Sequence, residues 1–175
     1  MLVAKIERSY QVHVSPRDSY TGPEVRGLLR GAGHTAMTTV YTVGYERMTF
    51  PELDDFLNDK GVEVLVDIRS YAGSFHVKRG YSSKELEHAR GSGRYRWEPR
   101  LGGKYTGPDG IVFPGQLTRH PQWEEGLGEL IEVASAKIVC VMCKEDDPVN
   151  CHRRRWVQGE LEKRGVKVVH LRRAR

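Results

Sequence analysis

Residues 40–68 read VYTVGYERMTFPELDDFLNDKGVEVLVDI, and this stretch decides the fold. Val40 to Val43 is a short apolar run ended by Gly44, the pattern of a buried strand. Thr49 is placed as an N-cap, Pro51 falls in the first turn, and Glu52 lies three residues after the cap. That is a capping box with proline near its favoured position. Leu53, Phe56 and Leu57 form an i, i+3, i+4 stripe, so one face of this helix is apolar. Gly61 closes it, and Val62 to Ile68 is too continuously apolar for a strand with one solvated face. Strand, helix and strand of these lengths make a βαβ unit, whose strands run parallel and are covered on both sides.

The same alternation continues. Ser82 or Ser83 caps a short helix to about Arg90, Gly91-Ser92-Gly93 breaks it, and Tyr95 to Trp97 reads as a short strand. Residues 98–120 are dense in glycine and proline and read as a long irregular loop. Trp123 to Ala136 is a helix, Lys137 to Cys143 an apolar strand, Cys151 to Arg164 a helix, and Val166 to Leu171 the last strand. The expectation is an α/β fold: a three-layer Rossmann-like domain with a mainly parallel sheet over residues 37–175. Residues 1–36 read as an N-terminal extension packed on that core, joined through Gly31-Ala32-Gly33.

At 175 residues the chain has one domain's worth of length, and no apolar run approaches a membrane span. No secretory signal pattern opens it, so a membrane partner is not expected. All three cysteines fall between Cys140 and Cys151, which suits a reduced cytoplasmic protein rather than a disulfide framework. The formal charge is +5, and it is uneven. From His152 to Arg175 there are nine lysines and arginines against two glutamates, an excess that favours an anionic partner such as a nucleic acid or a nucleotide.

In open parallel sheets, ligands bind beyond the carboxyl ends of the strands. That rule selects Gly44 and Tyr45 after the first strand, Asp67, Arg69 and Ser70 after the second, and Cys143 and Glu145 after the central one. The following loop delivers Cys151, His152 and Arg153 to a helix start, where free N–H groups attract anions and lower a thiol's pKa. Of the three consecutive arginines, Arg153 is expected in the site and Arg154 and Arg155 on a solvated face. A zinc site built from Cys140, Cys143, Cys151 and His152 is disfavoured, because an odd offset along a strand sends Cys140 and Cys143 to opposite faces. No metal and no cofactor is expected. Basic and aromatic residues interleave from Arg90 to Tyr105, and Trp97 there is a candidate for stacking on a base.

Thr42-Val43-Gly44-Tyr45, Val66-Asp67-Ile68-Arg69-Ser70, Leu101-Gly102-Gly103, and Cys143-Lys144-Glu145 with Cys151-His152-Arg153 together resemble domain-of-unknown-function family 488. The resemblance runs from about Thr38 to the C-terminus and implies a Rossmann-like fold, but no reaction. The residues themselves suggest an enzyme acting on nucleic acid or a nucleotide. Asp67, Glu145, His152 and Cys151 are the candidate catalytic groups, and base removal, an N-glycosidase or DNA-repair type of activity, is one candidate reaction. Tyr45, Arg69, Ser70, Arg153, Gly102, Gly103, Cys143 and Trp97 are the candidate substrate- and phosphate-binding residues. Two alternatives stand beside it: thiol chemistry at Cys151 or Cys143, and a module that binds nucleic acid or nucleotide without turnover.

Overall fold

The computed structural model describes residues 37–73, 77–106, 110, 112–114 and 121–173. The extension expected over 1–36 lies outside the described residues. The main sheet has five strands, all parallel: β1 (Thr39–Gly44), β2 (Val64–Asp67), β3 (Tyr95–Trp97), β6 (Val139–Cys143) and β7 (Lys167–Leu171), in the order β3-β2-β6-β1-β7. Every residue of β2 and β6 is buried, whereas the edge strands β3 and β7 are only partly covered. The middle strands read as uninterrupted apolar runs for this reason.

Helices α1 (Phe50–Asp59) and α2 (Ser83–Arg90) cover one face of the sheet. Both begin as their sequences dictate. Thr49 N–H donates to Glu52 Oε2 at 2.9 Å, and Ser82 N–H donates to Glu85 Oε2 at 3.0 Å. Leu53, Phe56 and Leu57 of α1 are buried against Leu65, Cys140 and Met142. Each such side chain contributes about 1.5–3 kcal/mol by leaving water. Helices α3 (Pro121–Ala136) and α4 (Gly159–Lys163) cover the other face, with Trp123, Leu127, Leu130 and Leu161 packed on Val64, Val66, Val139 and Val141. The result is the expected three-layer α/β arrangement.

Two expectations differ from the structure. Residues 98–120 contain order: a 3-10 turn, Pro99–Leu101, and an antiparallel pair of β4 (Lys104–Thr106) with β5 (Val112–Pro114). Three-residue strands are too short for alternation to show through the surrounding glycines and prolines. The helix expected over Cys151 to Arg164 is instead a π-helical stretch, Arg153–Gln158, leading into α4. The wide turn sets Arg153 inward, 1% exposed, while Arg154 and Arg155 face solvent as expected. Such turns are rare and concentrate at functional sites.

Beneath this stretch, His170 on β7 donates from Nε2 to Gln158 Oε1 at 2.9 Å and accepts from Thr42 Oγ1 at 2.5 Å. Burial, then the charges of Arg153, Arg154 and Arg172, lower its pKa from 6.5 to about 4. The unfolded chain takes up a proton near pH 6.5 that folded His170 refuses until about pH 4. Stability present above pH 6.5 is therefore lost as the pH falls towards 4. Thermal melts of the wild type should decline across this window, and His170→Gln should show a shallower decline.

Candidate functional site

β2 leads outward to β3, whereas β6 leads across β1 to β7. The chain thus diverges between β2 and β6, the switch point where open parallel sheets bind ligands. A pocket of about 240 Å³ lies there, lined by Tyr45, Arg69, Ser70, Tyr71, Val77, Gly103, Cys143, Lys144, Glu145 and His152. A larger hollow of about 380 Å³ at the amino ends of the strands, by Gly61, Arg94 and Lys137, holds no comparable set of reactive groups among the described residues.

Gly44 makes the close crossing possible. A Cβ there would lie 1.9 Å from the Glu145 carbonyl oxygen. Backbone pairing continues past the strand end, with Tyr45 N–H donating to the Cys143 carbonyl at 3.2 Å and Glu46 N–H to that of Lys144 at 3.0 Å. Gly44→Ala should push the Glu145 backbone out of place, costing about 1–3 kcal/mol as an overpacked site. A chemical-denaturation midpoint shift would measure it.

On the β2 side, Asp67 is completely buried. Its oxygens accept Arg69 Nε at 2.8 and 3.0 Å, Arg69 Nη2 at 2.5 Å and Tyr95 Oη at 2.9 Å. Arg69 Nη2 also donates to the Tyr81 carbonyl and Nη1 to Tyr45 Oη. Burial opposes the guanidinium's charge, but the hydrogen bonds and charge of Asp67 more than offset it, so the Arg69 pKa is raised. Four of the five guanidinium N–H groups are thus committed, and one of Nη1 remains for the pocket. Asp67, expected as a catalytic carboxylate, does not line the pocket; it holds Arg69 in place.

Tyr45 reaches the pocket wall but is only 3% exposed and stacks on Tyr81 with ring centroids 3.9 Å apart. Ser70 Oγ accepts the Lys104 N–H at 2.7 Å. A Cβ at Gly102 would meet Ser70 Oγ at 2.8 Å, so Gly102 lets the 3-10 turn close on the site, and Gly103 lines it. Trp97 is anchored through Nε1 to the Arg69 carbonyl at 2.8 Å and stands outside the pocket lining.

On the β6 side four reactive groups converge. Donor atoms of Cys143, Glu145, Cys151 and His152 all lie within 4.8 Å of one another. Cys143 Sγ is 3.0 Å from Glu145 Oε2 and 3.8 Å from His152 Nδ1, and Cys151 Sγ is 3.8 Å from the same nitrogen. His152 Nε2 lies 3.2 Å from the Ile68 carbonyl, which accepts its proton. The Cys151 sulfur also receives Arg153 Nε at 3.2 Å and the Arg153 amide at 3.5 Å. The Cys151 pKa is lowered, first by the Cys143 hydrogen bond and then by His152 and Arg153. That of Cys143 is raised, by Cys151, burial and Glu145.

Arg153 corrects an expectation. It is spent inside the protein, on Cys151, Thr42 Oγ1 and the Glu145 carbonyl, rather than on a phosphate in the pocket. Cys140 points into the other layer, as its offset from Cys143 implied, and burial pushes its thiol up to about 12. Glu145, not Cys140, joins the other two cysteines and the histidine. Lys144, Tyr71 and Val77 are pocket residues that the sequence reading missed. Lys144 was within reach of the strand-end rule, lying between two residues the rule had selected.

The family described as Domain of unknown function DUF488 matches residues 51–158. The chain belongs to this family. The matched span holds Asp67, Arg69, Cys143, Glu145, Cys151, His152 and Arg153, so the family covers both sides of the pocket. Tyr45 and the glycine crossing at Gly44 lie before it. No curated protein and no solved structure matches the chain.

Much of the basic surface is neutralised internally. Arg96 and Arg100 pair with Glu98 and Glu129, Arg90 with Asp54, Arg164 with Glu124 and Glu160, Arg172 with Asp147, and Arg173 with Glu52. Among the described residues no helix is long and apolar enough to cross a membrane.

Proposed function

We propose that this protein is an enzyme that processes a nucleotide, or a nucleotide unit of a nucleic acid, in the pocket between β2 and β6. One observation carries the reading: the pocket joins cationic and hydrogen-bonding groups, Arg69, Lys144 and Ser70, to a carboxylate, Glu145. The first three suit a phosphate, and Glu145 suits general acid–base work on a sugar or base. Tyr71, 51% exposed on the pocket lining, offers a stacking surface. At about 240 Å³ the pocket takes a base or a sugar-phosphate rather than a dinucleotide. Internal pairing of the basic residues favours this small substrate over an extended polymer. Base removal remains the candidate reaction, with Glu145 in place of the two-carboxylate arrangement, since Asp67 is committed to Arg69.

Direct attack on a substrate by Cys151 is disfavoured by its burial, 1% exposed, and by the Arg153 and His152 groups over its sulfur. The test is a panel of nucleotides and short single-stranded oligonucleotides, assayed for release of base or phosphate. Glu145→Gln should lower kcat by about 10²–10⁴-fold. Lys144→Ala should act mainly on KM. Absence of nucleotide binding by the wild-type protein at low salt would overturn the reading.

A further inference from the structure

We propose that Cys143, Cys151, His152 and Glu145 form a binding site for a divalent metal ion of the zinc type. A tetrahedral zinc ion with bonds of about 2.3 Å to sulfur and about 2.0–2.2 Å to nitrogen or oxygen holds neighbouring donors about 3.3–3.8 Å apart. The recorded separations are 3.0 Å for Cys143 Sγ to Glu145 Oε2 and 3.8 Å from His152 Nδ1 to either sulfur. No donor pair exceeds 4.8 Å. Side-chain adjustments of up to about an ångström at the widest pair close this set around one ion.

Two further observations point the same way. His152 Nε2 donates to the Ile68 carbonyl, so in the neutral tautomer that this bond selects, Nδ1 is the free ring nitrogen, and it faces the two sulfurs. A backbone carbonyl that fixes the tautomer in this way is the usual outer support of a ligating imidazole. Arg153 is fully buried with no carboxylate partner among the described residues, and its Nε is against Cys151 Sγ. Two thiolates and a carboxylate carry three negative charges, and a divalent cation with Arg153 balances them.

The donor softness selects the ion. Thiolate and imidazole suit zinc and disfavour magnesium and calcium, which take oxygen ligands. The thiols are buried, while Glu145 is half-exposed on the pocket side. Glu145 therefore closes the fourth corner at rest and is the ligand that a water or substrate displaces. The inference rests on the pocket assigned above but not on its substrate, because metal content is read without turnover.

The test uses the full chain expressed in zinc-supplemented medium, with metal content measured by mass spectrometry. Substitution by Co²⁺ adds an optical readout of thiolate coordination. Wild type and Cys140→Ala should each hold one zinc per chain and give sulfur-to-cobalt charge-transfer bands. Cys143→Ser, Cys151→Ser and His152→Ala should lose both, with folding checked by circular dichroism. Glu145→Gln should keep the metal with weaker retention. The proposal is overturned if the wild type takes up neither ion. It is also overturned if folded Cys143→Ser and Cys151→Ser retain zinc as the wild type does, or if the wild type isolates with a Cys143–Cys151 disulfide. A chain that holds zinc but turns over no nucleotide would sink the proposed function and leave the metal site standing.

Discussion

Asp67→Ala should lower the unfolding free energy by about 3–5 kcal/mol, the range for breaking a buried ion pair from one side. Asp67 is completely buried and Arg69 is 5% exposed, so water cannot replace the lost partner. The substitution strands Arg69 Nε and one Nη2 hydrogen, and leaves the Tyr95 hydroxyl without its acceptor at 2.9 Å. For a chain of this size the loss corresponds to a fall in Tm of about 6–20 °C. Asp67→Asn keeps one acceptor oxygen and should fall between. The double variant Asp67→Ala with Arg69→Met should recover part of the loss, because it removes the orphaned charge as well. Urea unfolding of the wild type, Asp67→Ala, Arg69→Met and the double variant closes the cycle. A loss below about 1 kcal/mol would place the pair with exposed surface ion pairs and contradict the buried geometry.

The parts of the fold that were legible in the sequence are those with strong local signals. The βαβ unit carried a capping box, a helical stripe and a continuous apolar run, and its two strands are parallel as read, with β6 between them. The π-helical stretch at Arg153–Gln158 was not legible, because propensity cannot distinguish α from π turns in RRRWVQ. What sets it apart is tertiary: one arginine is drawn under the end of the sheet. The site follows the same division. Strand ends identified Arg69, Cys143 and Glu145, since the end of each apolar run fixes where its strand stops. They could not tell that Asp67 and Arg153 are supports, because that depends on burial. The metal-ligating potential was missed for a related reason. The odd offset already turned Cys140 away from Cys143 and so set aside a zinc set built on it, but nothing in the spacing shows that the loop beyond β6 folds Glu145 back onto Cys143.

Arg153→Met should lower zinc affinity by about 10–100-fold and reduce stability by about 1–3 kcal/mol. The substitution keeps most of an apolar stem and removes the charge. The stability loss comes from the Glu145 carbonyl and Thr42 Oγ1, which lose the guanidinium that now donates to them in a buried setting. The affinity loss has a separate cause. Arg153 is the cation against the Cys151 sulfur, at 3.2 Å through Nε, and the metal-bound cluster keeps a net negative charge once it is gone. Arg153→Lys separates the two effects. Lysine retains the charge but cannot reproduce the planar fork that reaches sulfur, hydroxyl and carbonyl together. It should therefore bind zinc more tightly than Arg153→Met while melting no higher. Competition against a chromophoric chelator measures the first quantity and thermal denaturation the second. If Arg153→Met retains wild-type zinc affinity, the countercharge role is wrong. If it also melts with the wild type, the buried guanidinium contributes nothing net to the fold, and the wide turn that carries it has another cause.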